Sequence, residues 1–371
     1  MRIYMFVFII LLVVACNNVR NTNSANNLES IADTVVVSVF LPLEGGEVFL
    51  KDKEPFGRTI ELVGKHVSGD TAVFNVREMQ MLVKDDLLIV KNMLFTNYLF
   101  MLFDRSTLKL LKTFGRRGKG PDELMYPHLV PTEDSDLLTY AFEGTNQKLY
   151  AIDTSGKMQF YPFEISANHS KQLSDKQLIN INPTTFMYVE TTANGKGIFR
   201  AELENDSIRV KEIYNLSLNP KRKSGFAYIG DFAANREKNR MMFAYKYFKI
   251  IKFMDLEAET VRILNFERNT FDETSPYKVN GLDANVTHYW GASAQPEYVY
   301  LLYSGRTPQE VTKENNKENY YIYVEQYDWN GNPIRKFKLD QWGYFTVDEK
   351  RKELILASTN DDDPFYVYSL P

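Results

Sequence analysis

The sequence predicts an all-β fold, a six-bladed β-propeller whose last blade is closed by an amino-terminal strand, and three observations predict it. Short apolar runs recur six times, at Leu87-Leu88-Ile89-Val90, Leu137-Leu138-Thr139-Tyr140, Thr185-Phe186-Met187-Tyr188-Val189, Met241-Met242-Phe243-Ala244, Tyr298-Val299-Tyr300-Leu301-Leu302 and Leu354-Ile355-Leu356-Ala357. Their central residues, Leu88, Leu138, Met187, Met242, Tyr300 and Ile355, stand 50, 49, 55, 58 and 55 positions apart, which is the signature of a repeat architecture. Stretches such as Leu99 to Phe103 are apolar at consecutive positions, so both faces of each sheet need cover; radially packed blades supply it, and a sandwich with one wet face does not. Aromatic residues, 23 Tyr and 25 Phe among them, make up 14% of the 371 residues and favour a pleated, partly buried surface.

Taken in order, the chain opens M-R-I-Y-M-F-V-F-I-I-L-L-V-V-A-C, one basic residue, an apolar run and a small residue before Cys16. The run is too short for a span of about 20 residues, so residues 1–15 read as a cleaved secretory signal. Val13-Val14-Ala15-Cys16 resembles a bacterial lipobox, which makes Cys16 the lipid attachment site; a short signal-anchor with an incidental cysteine is the alternative. Cys16 is the sole cysteine, so its lipidation leaves no thiol for disulfides, catalysis or zinc. Acyl chains would hold the protein to a membrane without a spanning helix. Residues 16–33 are polar, rich in Asn and lack apolar periodicity, as a flexible tether does. Residues 34–371 form the propeller.

Each apolar run is followed by a second strand-like stretch, and in four of them an aspartate stands at the end: Asp104, Asp153, Asp255 and Asp328. These carboxylates suit the backbone N–H groups of a tight turn better than they suit catalysis. Third strands follow in five units, as in T-L-K-L-L-K-T-F and I-R-K-F-K-L. The last unit stops at Pro371 without one, so V-V-V-S-V-F from Val35 or R-T-I-E-L-V from Arg58 is expected to complete it and cover its edge.

Between Phe114 and Leu124 the chain reads F-G-R-R-G-K-G-P-D-E-L. Its glycines permit left-handed backbone and Pro121 sets the exit direction, so the stretch reads first as a crossing between blades. A local anion contact through Arg116, Arg117 and Lys119 is the second reading. A nucleotide loop needs a strand-to-helix setting and a spacing absent here. The pattern Gly115-x-x-Gly118-x-Gly120-Pro121 resembles the connector of NHL repeats, and the whole chain resembles the six-bladed, TolB-like propeller lipoproteins of Bacteroidetes. The corner occurs once, with Asp122 where NHL repeats often have Gly and Leu124 in place of Phe, so no RNA-binding or ligase-scaffold role is carried over. Surface-exported lipoproteins of that group often carry acidic residues just after the cysteine. Here the first acid is Glu29 and Arg20 is nearer, which points to an outer-membrane anchor facing the periplasm, with surface exposure as the alternative.

Little chemistry is legible. The 44 basic and 48 acidic side chains leave a formal charge of -4, so nucleic acid is not an expected partner. His66, His128, His169 and His288 lack paired metal spacing, and no G-x-S-x-G elbow occurs. Asp361-Asp362-Asp363 reads as a solvated hairpin tip, Lys221 to Lys223 as a solvated loop, and Tyr289-Trp290 beside His288 as core aromatics that could also stack on a sugar or peptide. No catalytic residue, metal or cofactor is assigned. The expected function is a non-catalytic binding or scaffold module for a peptide, protein or glycan. The rival reading is a metal-dependent envelope hydrolase, lactonase or lyase with its site at the propeller axis.

Overall fold

The computed structural model describes residues 46–371 apart from 51–53, 69–75, 77–78, 94–96, 121, 164–176, 206, 222 and 268–284. The expected signal and tether, Cys16, the candidate closing strand at 35–40 and His169 lie outside the described residues. Three short strands come first, β1 (Glu47–Phe49), β2 (Ile60–Leu62) and β3 (Lys65–His66). Blade one follows as β4 (Gln80–Lys84), β5 (Leu87–Lys91), β6 (Tyr98–Asp104) and β7 (Leu110–Arg116). Blade two holds β8 (Pro127–Val130), β9 (Leu137–Glu143), β10 (Lys148–Asp153) and β11 (Met158–Tyr161), and blade three β12 (Leu178–Asn182), β13 (Thr185–Thr192), β14 (Gly195–Glu204) and β15 (Ser207–Asn215). Blade four holds β16 (Gly230–Asn235), β17 (Arg240–Tyr245), β18 (Ile250–Met254) and β19 (Thr260–Asn265). In blade five β20 (Thr287–Ala294) and β21 (Tyr298–Arg306) precede a helix, α1 (Pro308–Asn315), then β22 (Ile322–Asp328) and β23 (Pro333–Leu339). Blade six is β24 (Gly343–Asp348), β25 (Glu353–Ser358) and β26 (Phe365–Ser369).

Within each blade the strands pair antiparallel with their sequence neighbours. The first strand of each blade touches the first strand of the next, and β24 touches β4, which closes the ring. Six core clusters result, one at each blade-to-blade interface. The consecutive apolar residues of β6 explain the arrangement: Phe100 and Leu102 serve the interface with blade two, while Met101 and Phe103 serve that with blade six. Alternation along a strand thus covers both faces. Phe103 meets Phe365 edge to face at 5.5 Å, so the first and last blades share one apolar seam.

The amino-terminal segment spreads over three blades. β1 runs parallel to β19, β2 parallel to β23, and β3 pairs antiparallel with β26. The last blade is therefore closed by an amino-terminal strand, but that strand is Lys65–His66; Arg58 to Val63 reaches the edge of blade five instead. Asp340 supports this handover, its carboxylate accepting from Gly64 N at 3.1 Å and from the Tyr368 hydroxyl at 2.8 Å.

The four repeated aspartates all turn the chain. Asp104 Oδ1 accepts from Ser106 Oγ, Thr107 N and Thr107 Oγ1 at 2.7 to 2.8 Å, which pulls its pKa down to about 2. Asp153, Asp255 and Asp328 each accept two backbone N–H groups of the following turn.

Helix α1 was not foreseen from the sequence. Thr307 caps it through Glu310 N while the Glu310 carboxylate accepts from Thr307 N, and Pro308 sits in its first turn. The signal T-P-Q-E was present as a capping box.

Candidate functional site

Registers within the blades show that all six inner strands run the same way, from an upper mouth where they begin to a lower mouth where they end. They enclose a cavity of about 1270 Å³ along the ring axis. The crossing loops between blades lie on the upper side, and the aspartate turns on the lower side.

The lower mouth is bound together by polar contacts between blades. Lys84 Nζ donates to Thr132 O at 3.2 Å and the Thr132 hydroxyl donates to Asn180 Oδ1 at 2.9 Å. Arg236 N donates to Glu133 Oε1 at 3.2 Å, and Asn235 Nδ2 donates to Pro296 O at 3.0 Å. The Glu349 carboxylate accepts from the N–H groups of Glu297 and Tyr298, both at 3.0 Å. Groups already paired this way have little to offer a ligand.

The upper mouth has another character. Asp231 on β16 sits between three adjacent inner walls: the Gln177 side chain and Gly291 N hydrogen-bond to its carboxylate, and Lys246 lies near in charge. Burial nevertheless outweighs these partners and pushes its pKa up to about 6. Gln177 Oε1 also accepts from Phe232 N at 2.6 Å, which fixes the amide beside the acid. His128 on β8 is pushed down to about 4 by burial and by Lys91, so it is neutral near pH 7. Opposite, Trp290 on β20 stacks on Tyr344 of β24 with centroids 5.7 Å apart and planes 14° apart, and leans on Trp342 at 5.1 Å. The Trp290 indole N–H is buried and has no hydrogen-bond partner.

The triplet His288-Tyr289-Trp290 lies on a strand, not in a loop, and its members divide. Tyr289 is fully buried and donates to Glu325 Oε2 at 3.2 Å, in line with core packing. His288 lies flat on Tyr303, and burial together with Lys249 holds its pKa down to about 3. Trp290 lines the cavity.

A family model described as TolB-like 6-blade propeller-like matches residues 61–350. The chain belongs to that family. Among solved structures, this TolB-like propeller is similar to a DUF4221-family protein of Bacteroides vulgatus at 13% identity, TM-score 0.56, covering 84% of this chain and 98% of that one. That likeness shows the fold alone. A Bacteroides fragilis protein described as a candidate exported protein matches at 10% identity and TM-score 0.49, over 84% of this chain and 98% of that one. The calcium-binding protein regucalcin of Agrobacterium tumefaciens matches at 11% identity and TM-score 0.46, over 84% and 95%. A comparison with curated proteins returned no match.

The glycine-rich stretch of the TolB-like propeller is the crossing from blade one to blade two. Leu124 N donates to Arg116 O at 2.9 Å, Gly118 N donates to Leu124 O at 3.1 Å, and Leu124 is buried in the interface core. Gly120 N donates to Glu123 Oε2 at 2.9 Å. Gly115 has φ +70°, and a Cβ there would lie 2.5 Å from the Phe100 ring. Gly115→Ala is expected to destabilise by about 2–4 kcal/mol, since left-handed strain and overpacking add; chemical denaturation measures it, and a change under about 0.5 kcal/mol would contradict the crossing's geometry.

Of the three cations in this crossing, Arg117 donates through Nη2 to Met93 O at 3.1 Å and is partly buried. Arg116 and Lys119 are exposed, and Arg116 shares a small cavity of about 220 Å³ with Asp122, Tyr150, Met158 and Phe160. The three do not converge on the channel cavity. Asp361 and Asp363 sit in the loop joining β25 and β26, bonded to the Tyr366 hydroxyl at 2.9 Å and, through a carbonyl, to His66 Nε2 at 2.9 Å. Lys221 and Lys223 are exposed between blades three and four. Among the described residues no group of three or more His, Cys, Asp or Glu could hold a metal ion, and no helix is long and apolar enough to cross a membrane.

Sequence reasoning missed Asp231, Lys246 and Gln177. Asp231 and Gln177 stand on or beside inner strands, whose channel faces are wet and carry no long apolar run to mark them, while Lys246 follows the apolar run of β17 as a single charge with no spacing that singles it out.

Proposed function

We propose that this TolB-like propeller is an outer-membrane lipoprotein, anchored through Cys16 and facing the periplasm, that binds a peptide, protein or glycan at its upper mouth without catalysis. The observation carrying the binding reading is the axial cavity of about 1270 Å³, whose upper rim joins an aromatic wall to polar and charged groups. Apolar surface beside a few placed polar groups is the usual make-up of a ligand site. The anchor rests on the lipobox-like Val13-Val14-Ala15-Cys16.

Two measurements test this. Cys16→Ser should abolish acyl labelling and leave the precursor uncut; labelling that persists in the variant removes the anchor. A thermal-shift screen against glycans, peptides and metal ions should raise the melting temperature with one of the first two classes, because a ligand selective for the native state stabilises it. Stabilisation by a divalent metal alone, with hydrolytic or lyase activity lost on chelation, would favour the metal-dependent enzyme instead.

A further inference from the structure

We infer that the groove between the outer strands of blades one and two is a second binding site, and that it takes a free α-amino acid with an apolar side chain. Arg116 receives the carboxylate and Asp122 the ammonium. The groove lies apart from the axial channel, so the inference goes beyond the binding reading above and does not rest on it.

The glycine-rich crossing delivers both charges. Arg116 ends β7, Asp122 follows in the crossing, and the chain doubles back between them, Leu124 N donating to Arg116 O at 2.9 Å. Both side chains are exposed and line one cavity of about 220 Å³, yet among the described residues neither makes an ion pair or a side-chain hydrogen bond. Opposite charges that share a cavity without reaching each other leave a gap that a ligand carrying both signs can bridge. The ions around them are engaged elsewhere or stand outside the cavity. Lys112 Nζ donates to Ser155 O at 2.6 Å, the Asp153 carboxylate accepts from its own turn, and the Glu143 carboxylate accepts from Met125 N at 2.7 Å. Lys148 Nζ lies 5.8 Å over the Phe160 ring, and Lys119 does not line the cavity. One cation and one anion remain, which suits a zwitterion better than a net anion or a net cation.

The rest of the lining is apolar or bare. Tyr150 and Phe160 meet edge to face at 6.2 Å with Met158 beside them, and Gly115 and Gly156 complete the wall without side chains. Both glycines have positive φ, +70° and +74°, so the turns that need glycine also leave the groove unfilled. Phe160 is 50% exposed, and an apolar side chain laid on it and on Met158 removes surface from water. At about 220 Å³ the cavity is below the roughly 300–1,000 Å³ of drug-sized sites, with room for one amino acid and not for an oligosaccharide. A peptide bond removes one of the two charges from the carbon that bears the side chain, so carboxylate and ammonium on a single carbon select a free amino acid. Phosphoethanolamine carries both signs but no apolar branch to lie on Phe160.

The test titrates the full-length lipidated protein in detergent calorimetrically with L-phenylalanine, with N-acetyl-L-phenylalanine, which lacks the ammonium, and with L-phenylalanine amide, which lacks the carboxylate. L-phenylalanine should bind about fivefold tighter than either, the size expected of one solvent-exposed ion pair. Arg116→Gln should bring L-phenylalanine to the affinity of its amide, and Asp122→Asn should bring it to that of the N-acetyl compound, each variant keeping the other preference. Phe160→Ala should weaken L-phenylalanine by about fivefold, and phosphoethanolamine should bind wild type at least about fivefold more weakly than L-phenylalanine does. Because Arg116 and Asp122 are exposed, their variants should melt within about 2 °C of wild type, so a lost preference reports binding and not folding. L-phenylalanine binding that neither charge substitution changes puts the amino acid elsewhere and overturns the inference. Equal affinity for phosphoethanolamine overturns it too, as does no binding of L-phenylalanine at millimolar concentration. The upper-mouth reading is decided separately, by its own ligand screen.

Discussion

Arg105→Ala is expected to lower stability by about 3–5 kcal/mol, a large loss for one side chain. Arg105 follows the aspartate turn of blade one, yet only 1% of the residue is exposed. Its Nε lies 3.0 Å from Asp348 Oδ2 and its Nη2 donates to Glu353 Oε2 at 2.8 Å, both on blade six. Its backbone N–H donates to Asp86 O at 2.9 Å. The contacts thus join the first blade to the last across their shared seam. Removing the guanidinium leaves the buried Asp348 with Arg351, whose Nη1 donates to it at 3.0 Å, as its remaining cation. A surface control is at hand: Lys238 pairs with Glu297 at 2.9 Å, their side chains 39% and 64% exposed, and Lys238→Ala should cost under about 1 kcal/mol. Urea denaturation of both variants decides the matter, and equal losses would show that the seam is held by its apolar contacts alone.

Asp231→Asn is expected to stabilise the protein near pH 7.5 by up to about 3 kcal/mol, since one pKa unit corresponds to about 1.4 kcal/mol and the net rise already includes the attraction to Lys246. The sign follows from the direction of the shift. The folded carboxyl has its pKa raised from 3.8 to about 6, so between these values the native state binds more protons than the unfolded state. Stability from this group therefore falls as pH rises through about 4 to 6, and the variant should lose that dependence. His128 and His288 act oppositely. Their folded pKa values, about 4 and about 3, lie below the ordinary 6.5, so their contribution is present above 6.5 and lost as pH falls below it. Subtracting wild-type from variant unfolding free energies across pH 4 to 7.5 cancels the histidines and isolates the acid. A difference that stays constant over that range would refute the account. A carboxylate kept where it weakens the fold is the mark of a site more than of a core.

How far the sequence reached is clearest strand by strand. All six apolar runs are the second strands of their blades, β5, β9, β13, β17, β21 and β25. These lie mid-blade with cover on both faces, so burial alone writes them as unbroken hydrophobic stretches. The aspartates after the third strands were readable because a turn needs acceptors for its own N–H groups. The innermost strands escaped notice. Gly230 to Asn235 reads G-D-F-A-A-N, a mixture of polar and small residues, because one side of it faces the channel. The closing strand was expected at Val35 to Phe40 or at Arg58 to Val63 because the last unit lacks an outer strand, but the two residues that pair with β26, Lys65 and His66, come just after the second of these, too few to form a pattern.

By itself, then, the amino-acid order determined the strand content, the repeat, the two-sided blades and the crossing at Gly115, since each depends on neighbours within a few positions and on which side chains avoid water. Only the tertiary structure decided the site. Closing the ring brings Gln177, Asp231, Lys246 and Trp290 onto one mouth from four different blade segments, and the burial that raises the Asp231 pKa exists only once those walls stand around it.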